Sequence, residues 1–132
     1  MKRGTPVLRI DLGSGRPAYE QIVSGLRALL VAGEFRPGDR LPPVRQLAID
    51  LSVHHNTVAE SYRVLAEEGW LDLTRGRGAI VRERPGRKPS AEARKSFARQ
   101  LEELAAKAIA DGVPRESIAE QLATAARRLS RP

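Results

Sequence analysis

Apolar residues recur at helical spacing in several short runs, and a turn signal cuts off each run before a long helix can form. Tyr19, Ile22, Val23, Leu26, Leu29 and Leu30 share one face over roughly residues 17–32. Pro17 suits a first turn, and Gly33 is a stop. Phe35-Arg36-Pro37-Gly38-Asp39 is turn chemistry. A second helix is expected over about 43–51, opened by Pro42-Pro43, with Leu47, Ala48 and Leu51 inward. Ser52-Val53-His54-His55-Asn56 interrupts it. A third helix, about 55–68, buries Val58, Tyr62 and Leu65 and ends before Gly69.

The period then switches. Trp70-Leu71-Asp72-Leu73 alternates like a strand, Thr74-Arg75-Gly76-Arg77-Gly78 is a glycine-rich basic tip, and Ala79-Ile80-Val81 returns as a second strand. Residues 83–90 have no periodicity and read as a linker. Beyond them, Phe97, Leu101, Leu104 and Ala108 line one helix, with Ser90 as N-cap and Gly112 as stop. Pro114 starts another, on which Ile118, Leu122, Ala125 and Leu129 share a face. At the other end of the chain, Val7, Leu8 and Ile10 suit a short strand or arm.

Composition narrows the chemistry. With 23 Lys and Arg against 16 Asp and Glu, the formal charge is +7, which favours a polyanionic partner. Six basic residues (Arg75, Arg77, Arg82, Arg84, Arg87, Lys88) face one acidic residue, Glu83, across 75–88, so the charge concentrates at the hairpin tip and linker. Zero Cys removes disulfides, thiolate metal sites and cysteine nucleophiles. The longest apolar stretch, Leu29 to Ala32, is too short to span a bilayer, and no apolar signal-peptide core is present. A cytoplasmic protein without a membrane role is expected. No spaced carboxylate–histidine set, P-loop or activated nucleophile is present, so no enzyme, catalytic residue or cofactor is expected.

Helix, helix, tight turn, helix, hairpin is the layout of a winged helix-turn-helix, and the fold class is mainly α. Ala48 lets two helices cross closely, and Ser52 stands at the turn position where glycine is commonest. His54-His55-Asn56-Thr57 then forms the helix end that enters a major groove in such motifs. Asn can read adenine bidentately, and Thr can bond a phosphate or touch a thymine methyl. A pure capping role for Asn56 and Thr57 is the blander alternative. Adjacent histidines point in different directions on a helix and no i,i+4 partner follows, so no metal site is expected at His54 and His55. A pH-sensitive phosphate contact suits them better. Trp70, Tyr19 and Tyr62 read as core packing.

The stretches Pro17-Ala18-Tyr19-Glu20-Gln21-Ile22, Pro37-Gly38-Asp39-Arg40-Leu41-Pro42-Pro43-Val44-Arg45-Gln46-Leu47-Ala48, Asn56-Thr57-Val58 and Arg75-Gly76-Arg77-Gly78 occur in this order, and over about residues 8–82 the chain resembles the DNA-binding domain of GntR-family regulators. The short tail is similar to the YtrA subfamily. The resemblance implies that Arg45 holds a phosphate or reaches a base. It also implies that His54, His55, Asn56 and Thr57 face the groove, and that Arg75, Gly76 and Arg77 touch backbone and minor groove. Ala59 and Glu60 stand where relatives often carry Arg or Lys, which implies thinner direct readout.

The resulting expectation is a winged helix-turn-helix at 1–82, a basic linker at 83–90 and a two-helix dimerisation tail at 91–132. The chain would be a dimeric repressor reading an inverted repeat in double-stranded DNA. The resemblance also implies a small-molecule effector, whose identity and pocket are not legible. The alternative is a winged-helix module for protein interaction, or an architectural nucleic-acid binder without strong sequence preference. Single-stranded RNA recognition fits poorly with 4% aromatic residues.

Overall fold

The computed structural model describes residues 8–74, 76, 78–83 and 88–130. The element order is α1 (Ala18–Val31), α2 (Val44–Leu51), α3 (His55–Glu67), β1 (Leu71–Asp72), β2 (Ile80–Val81), α4 (Ala91–Ala110) and α5 (Arg115–Leu129). Contacts divide the chain into two compact units, Met1–Arg84 and Pro85–Pro132.

Helices α1 to α4 stop in the same way. At the end of α1, the N–H of Gly33 donates to Leu30 O and that of Glu34 to Leu29 O. At the end of α3, Gly69 donates to Ala66 O and Trp70 to Leu65 O. After α4, Gly112 and Val113 repeat the pattern on Ile109 O and Ala108 O. These paired bonds satisfy last-turn carbonyls and require a left-handed residue, which glycine adopts without a Cβ clash. At the end of α2 the left-handed residue is Ser52, at φ 58°, with Ser52 N–H on Ile49 O and Val53 N–H on Ala48 O. Among the described residues it is the one non-glycine with positive φ. This is the turn that aims α3, and a Cβ there costs roughly 1–2 kcal/mol. Ser52→Gly is expected to stabilise the unit by about 1 kcal/mol, read as a higher urea midpoint at unchanged slope. An unchanged or lower midpoint would contradict that reading of the turn.

The core of the first unit is aliphatic. Ile22, Val23, Leu26 and Leu30 of α1 meet Leu47 and Ala48 of α2 and Val58, Tyr62 and Leu65 of α3, closed by Phe35, Leu41, Leu71, Ala79 and Val81. Val53 and Trp70 pack against this cluster, Trp70 in the core role expected of it. Tyr19 differs. It is 37% exposed, because the first turn of α1 extends past the core. Ser61 is fully buried without breaking the rule on polar groups, since its hydroxyl donates to Thr57 O (2.9 Å) and reaches Tyr19 O (3.3 Å).

Strands β1 and β2 pair antiparallel, Leu71 opposite Val81 and Asp72 opposite Ile80. A further edge joins them. Gly38 N–H donates to Val81 O, Val81 N–H to Asp39 O, and Leu41 N–H to Ala79 O, with an Arg40–Ile80 bridge. The segment that reads as a plain turn in the sequence therefore holds the hairpin against the helices.

Of the expected strand or arm, Val7 lies outside the described residues, and residues 8–10 form an arm rather than a strand, with Leu8 and Ile10 against the core. Leu8 lies over Gly25, where any Cβ would collide with its side chain. Gln21 pins the following loop: its Oε1 accepts from Asp11 N–H, and its Nε2 donates to Asp11 O and Arg16 O. On α1, Arg27 makes a two-toothed contact with Glu68 at the end of α3 (2.9 and 2.6 Å). That hydrogen bonding raises the guanidinium pKa above its ordinary value, against a smaller opposing desolvation.

In the second unit, Ser90 Oγ accepts from Ala93 N–H and caps α4, and Pro114 precedes α5. The two helices contact each other, yet neither holds a buried residue. Phe97 is 63% and Leu104 66% exposed.

Candidate nucleic-acid interface

Local chemistry builds the N-terminal end of α3. His54 is its N-cap, in an extended conformation, and its Nδ1 accepts the Asn56 N–H at 3.1 Å. Thr57 N–H closes the first turn on His54 O at 3.0 Å. The cap is thus His54, and Asn56 supplies only its backbone donor to it. A neutral imidazole that accepts at Nδ1 carries its proton on Nε2, so His54 offers a donor there, matched to a phosphate oxygen or to guanine N7 or O6.

The two histidine rings stack, with centroids 4.4 Å apart and an interplanar angle of 29°. Helical geometry predicts divergent side chains, but His54 lies outside the helix, so the angular step of a helix does not separate them. Among the described residues no group of three or more potential metal ligands is present.

His55 and Asn56 are exposed and Thr57 is half-buried, while Val58, Ser61, Tyr62 and Leu65 on the opposite face anchor α3 in the core. Arg45 is exposed in the first turn of α2. Gly76 sits at the hairpin tip with φ 80°. Arg75 and Arg77, expected beside it, lie outside the described residues, as do Arg84 and Arg87 of the linker.

Tyr62 does not reach outward. Its hydroxyl donates to Pro42 O at 2.6 Å, and burial pushes the phenol pKa above its ordinary value, so it stays a donor. The bond ties the entrance of α2 to the middle of α3.

Two cations on this face escaped the sequence reading. Arg63 lies seven residues after Asn56, two helical turns along the same exposed stripe, and that period is the signal that could have found it. Arg40 is exposed on the edge segment beside β2, and only the pairing of that segment with the hairpin brings it here.

Residues 18–81 match the family described as bacterial regulatory proteins, gntR family. The chain is 40% identical over 77 residues to the HTH-type transcriptional repressor YtrA of Bacillus subtilis (strain 168), covering 58% of this chain and 59% of the repressor. The match thus spans less than two thirds of that relative. The uncharacterized HTH-type transcriptional regulator YhcF of the same strain is 33% identical over 97 residues, covering 69% of this chain and 80% of YhcF. Among solved structures, YtrA from Sulfolobus acidocaldarius, a GntR-family transcription factor, superposes with a TM-score of 0.59 at 34% identity, covering 73% of this chain and 98% of that one. Sequence match and shared architecture agree over the winged helix-turn-helix: the chain belongs to the GntR family of bacterial regulatory proteins.

Proposed function

We propose that the chain is a sequence-specific, double-stranded DNA-binding transcription regulator, acting as a homodimeric repressor on an inverted-repeat operator. The observation that carries this reading is the left-handed turn at Ser52, which leaves His54, His55 and Asn56 exposed, with Thr57 half-buried beside them, at the end of a helix whose opposite face is buried. That is the part of a helix-turn-helix that meets base edges. YtrA of Bacillus subtilis, named a transcriptional repressor, supports the direction of control.

In this reading Asn56 reads a base, Thr57 bonds a phosphate or touches a thymine methyl, His55 contacts a phosphate, and His54 donates from Nε2. Arg45 anchors a phosphate from α2. Arg75, Gly76 and Arg77 grip the neighbouring backbone and minor groove. Residues 1–82 form the DNA-binding domain, 83–90 a basic linker and 91–132 the dimerisation tail, whose exposed apolar stripe supports self-association. No described helix is long and apolar enough to cross a membrane, in keeping with a cytoplasmic regulator. Catalysis, metal and cofactor have no part in it.

Selection of bound sequences from random duplex DNA tests this reading. Two half-sites about one helical turn apart, some 34 Å, are expected. Asn56→Ala should lose about 1–3 kcal/mol of discrimination at one base pair, while Arg75→Ala should weaken all duplexes alike and flatten the log–log salt slope by about one. Equal behaviour of the two variants would overturn the split between reading and anchoring. No preference for any duplex over competitor would favour the architectural alternative.

A further inference from the structure

A cleft of about 540 Å³ opens between the middle of α3 and the hairpin. Its volume is within the range of small-molecule sites, about 300–1,000 Å³. Pro42, Pro43 and Val44 form one wall, and Tyr62, Leu73 and Ala79 line the rest of its apolar surface. The Tyr62 hydroxyl is committed to Pro42 O and leaves an apolar ring edge in the cleft. Arg40 and Arg63 also line it, both exposed and neither ion-paired among the described residues. A DNA backbone is hydrophilic and has no use for an apolar floor, so the interface role leaves this cavity unexplained.

We propose that the cleft binds a small amphipathic carboxylate, with its hydrocarbon body against Pro43, Tyr62 and Leu73 and its anionic head between Arg40 and Arg63, and that its occupant expels duplex DNA. The inference rests on the DNA-binding reading for its consequence, but not for the site itself. The coupling is direct. Ala59 and Arg63 lie on the same helix as Asn56, and Gly76 and Gly78 belong to the hairpin tip, so the occupant stands between the two elements that meet the duplex. Its head also offsets one of the two positive charges that Arg40 and Arg63 bring to this face. A ligand shifts the equilibrium only through different affinity for the two states; in the proposed reading a duplex lying across the end of α3 and the hairpin tip would cover the cleft mouth, so the occupant would bind the free state better.

The test uses the full chain and benzoate as the probe. Amide correlation spectra of the free protein should show saturable shifts centred on Val44, Ala59 and Arg63. A fragment of this size should bind with a Kd of about 1 mM. Benzyl alcohol, which lacks the charge, should bind at least about tenfold more weakly. Leu73→Glu, at an exposed position on the cleft wall, should abolish the benzoate shifts while leaving the spectrum of a folded protein. In a second arm, benzoate should raise the apparent Kd for the selected duplex in proportion to its concentration, relative to sodium chloride at equal ionic strength. Leu73→Glu should remove that dependence.

Shifts that fail to saturate, or that centre elsewhere, overturn the site. So do equal shifts with inorganic phosphate, which would mark a backbone-anion contact. Saturation without DNA release overturns the coupling. A protein that binds no duplex even without benzoate overturns the DNA-binding reading instead, and the spectra of the free protein still decide whether the cleft is a site.

Discussion

With the tail pairing two copies as proposed, the double variant Phe97→Glu, Leu104→Glu is expected to turn that dimer into a folded monomer and to cut affinity for the proposed two-half-site operator by about 10²–10⁴-fold. Both side chains are mostly exposed in a single chain, so the subunit loses almost no burial when they are replaced. Glu is as good a helix former as Leu and better than Phe, so α4 should keep its helicity. The two positions are seven residues apart and share one face of α4. If a second copy covers that face, two carboxylates per subunit must be desolvated there, and that penalty far exceeds what the remaining apolar packing can offset. The loss of affinity follows from losing the link between two reading heads, since the second head no longer binds at high local concentration. Sedimentation at micromolar concentration gives the mass, circular dichroism the helix content, and a duplex titration the affinity. A variant that still sediments as a dimer would place self-association elsewhere.

Leu65→Ala is expected to lower the stability of the winged-helix unit by about 2–5 kcal/mol. Leu65 is 0% exposed and belongs to the cluster that joins α1, α2 and the hairpin to α3. A unit of this size has a total stability of only about 5–10 kcal/mol, so the loss is a large fraction of it. The single tryptophan makes the measurement specific. Trp70 packs on the same cluster and donates its backbone N–H to Leu65 O at 2.9 Å, so its fluorescence reports this unit and not the tail helices. A urea midpoint shift worth less than about 1 kcal/mol would mean that Leu65 is not a keystone.

The two faces of α3 were legible before the fold. Spacing alone places Val58, Tyr62 and Leu65 inward on α3 and leaves His55 and Asn56 outward, because a helix converts sequence separation into angle. The histidine pair departs from that pattern for a related reason: the angular rule holds inside a helix, and His54 is the cap before it. Tyr62 showed its burial in the pattern but not the target of its hydroxyl, which is 20 residues away on Pro42. The cleft left no mark in the sequence at all, since its walls come from three separate stretches.

Helix lengths and stops follow from the chain's own local chemistry. Apolar residues at helical period set each buried face, and Gly33, Gly69, Gly112 and, at some strain, Ser52 end the helices, all through bonds that span only a few residues. The pairing of residues 38–41 with β2, the position of Arg40 beside the hairpin and the cavity it lines were decided only by the closed fold. Those contacts join segments some 40 residues apart, and such partners are chosen by which backbone edges and apolar faces remain open once the helices have packed, a competition that no local stretch of sequence contains.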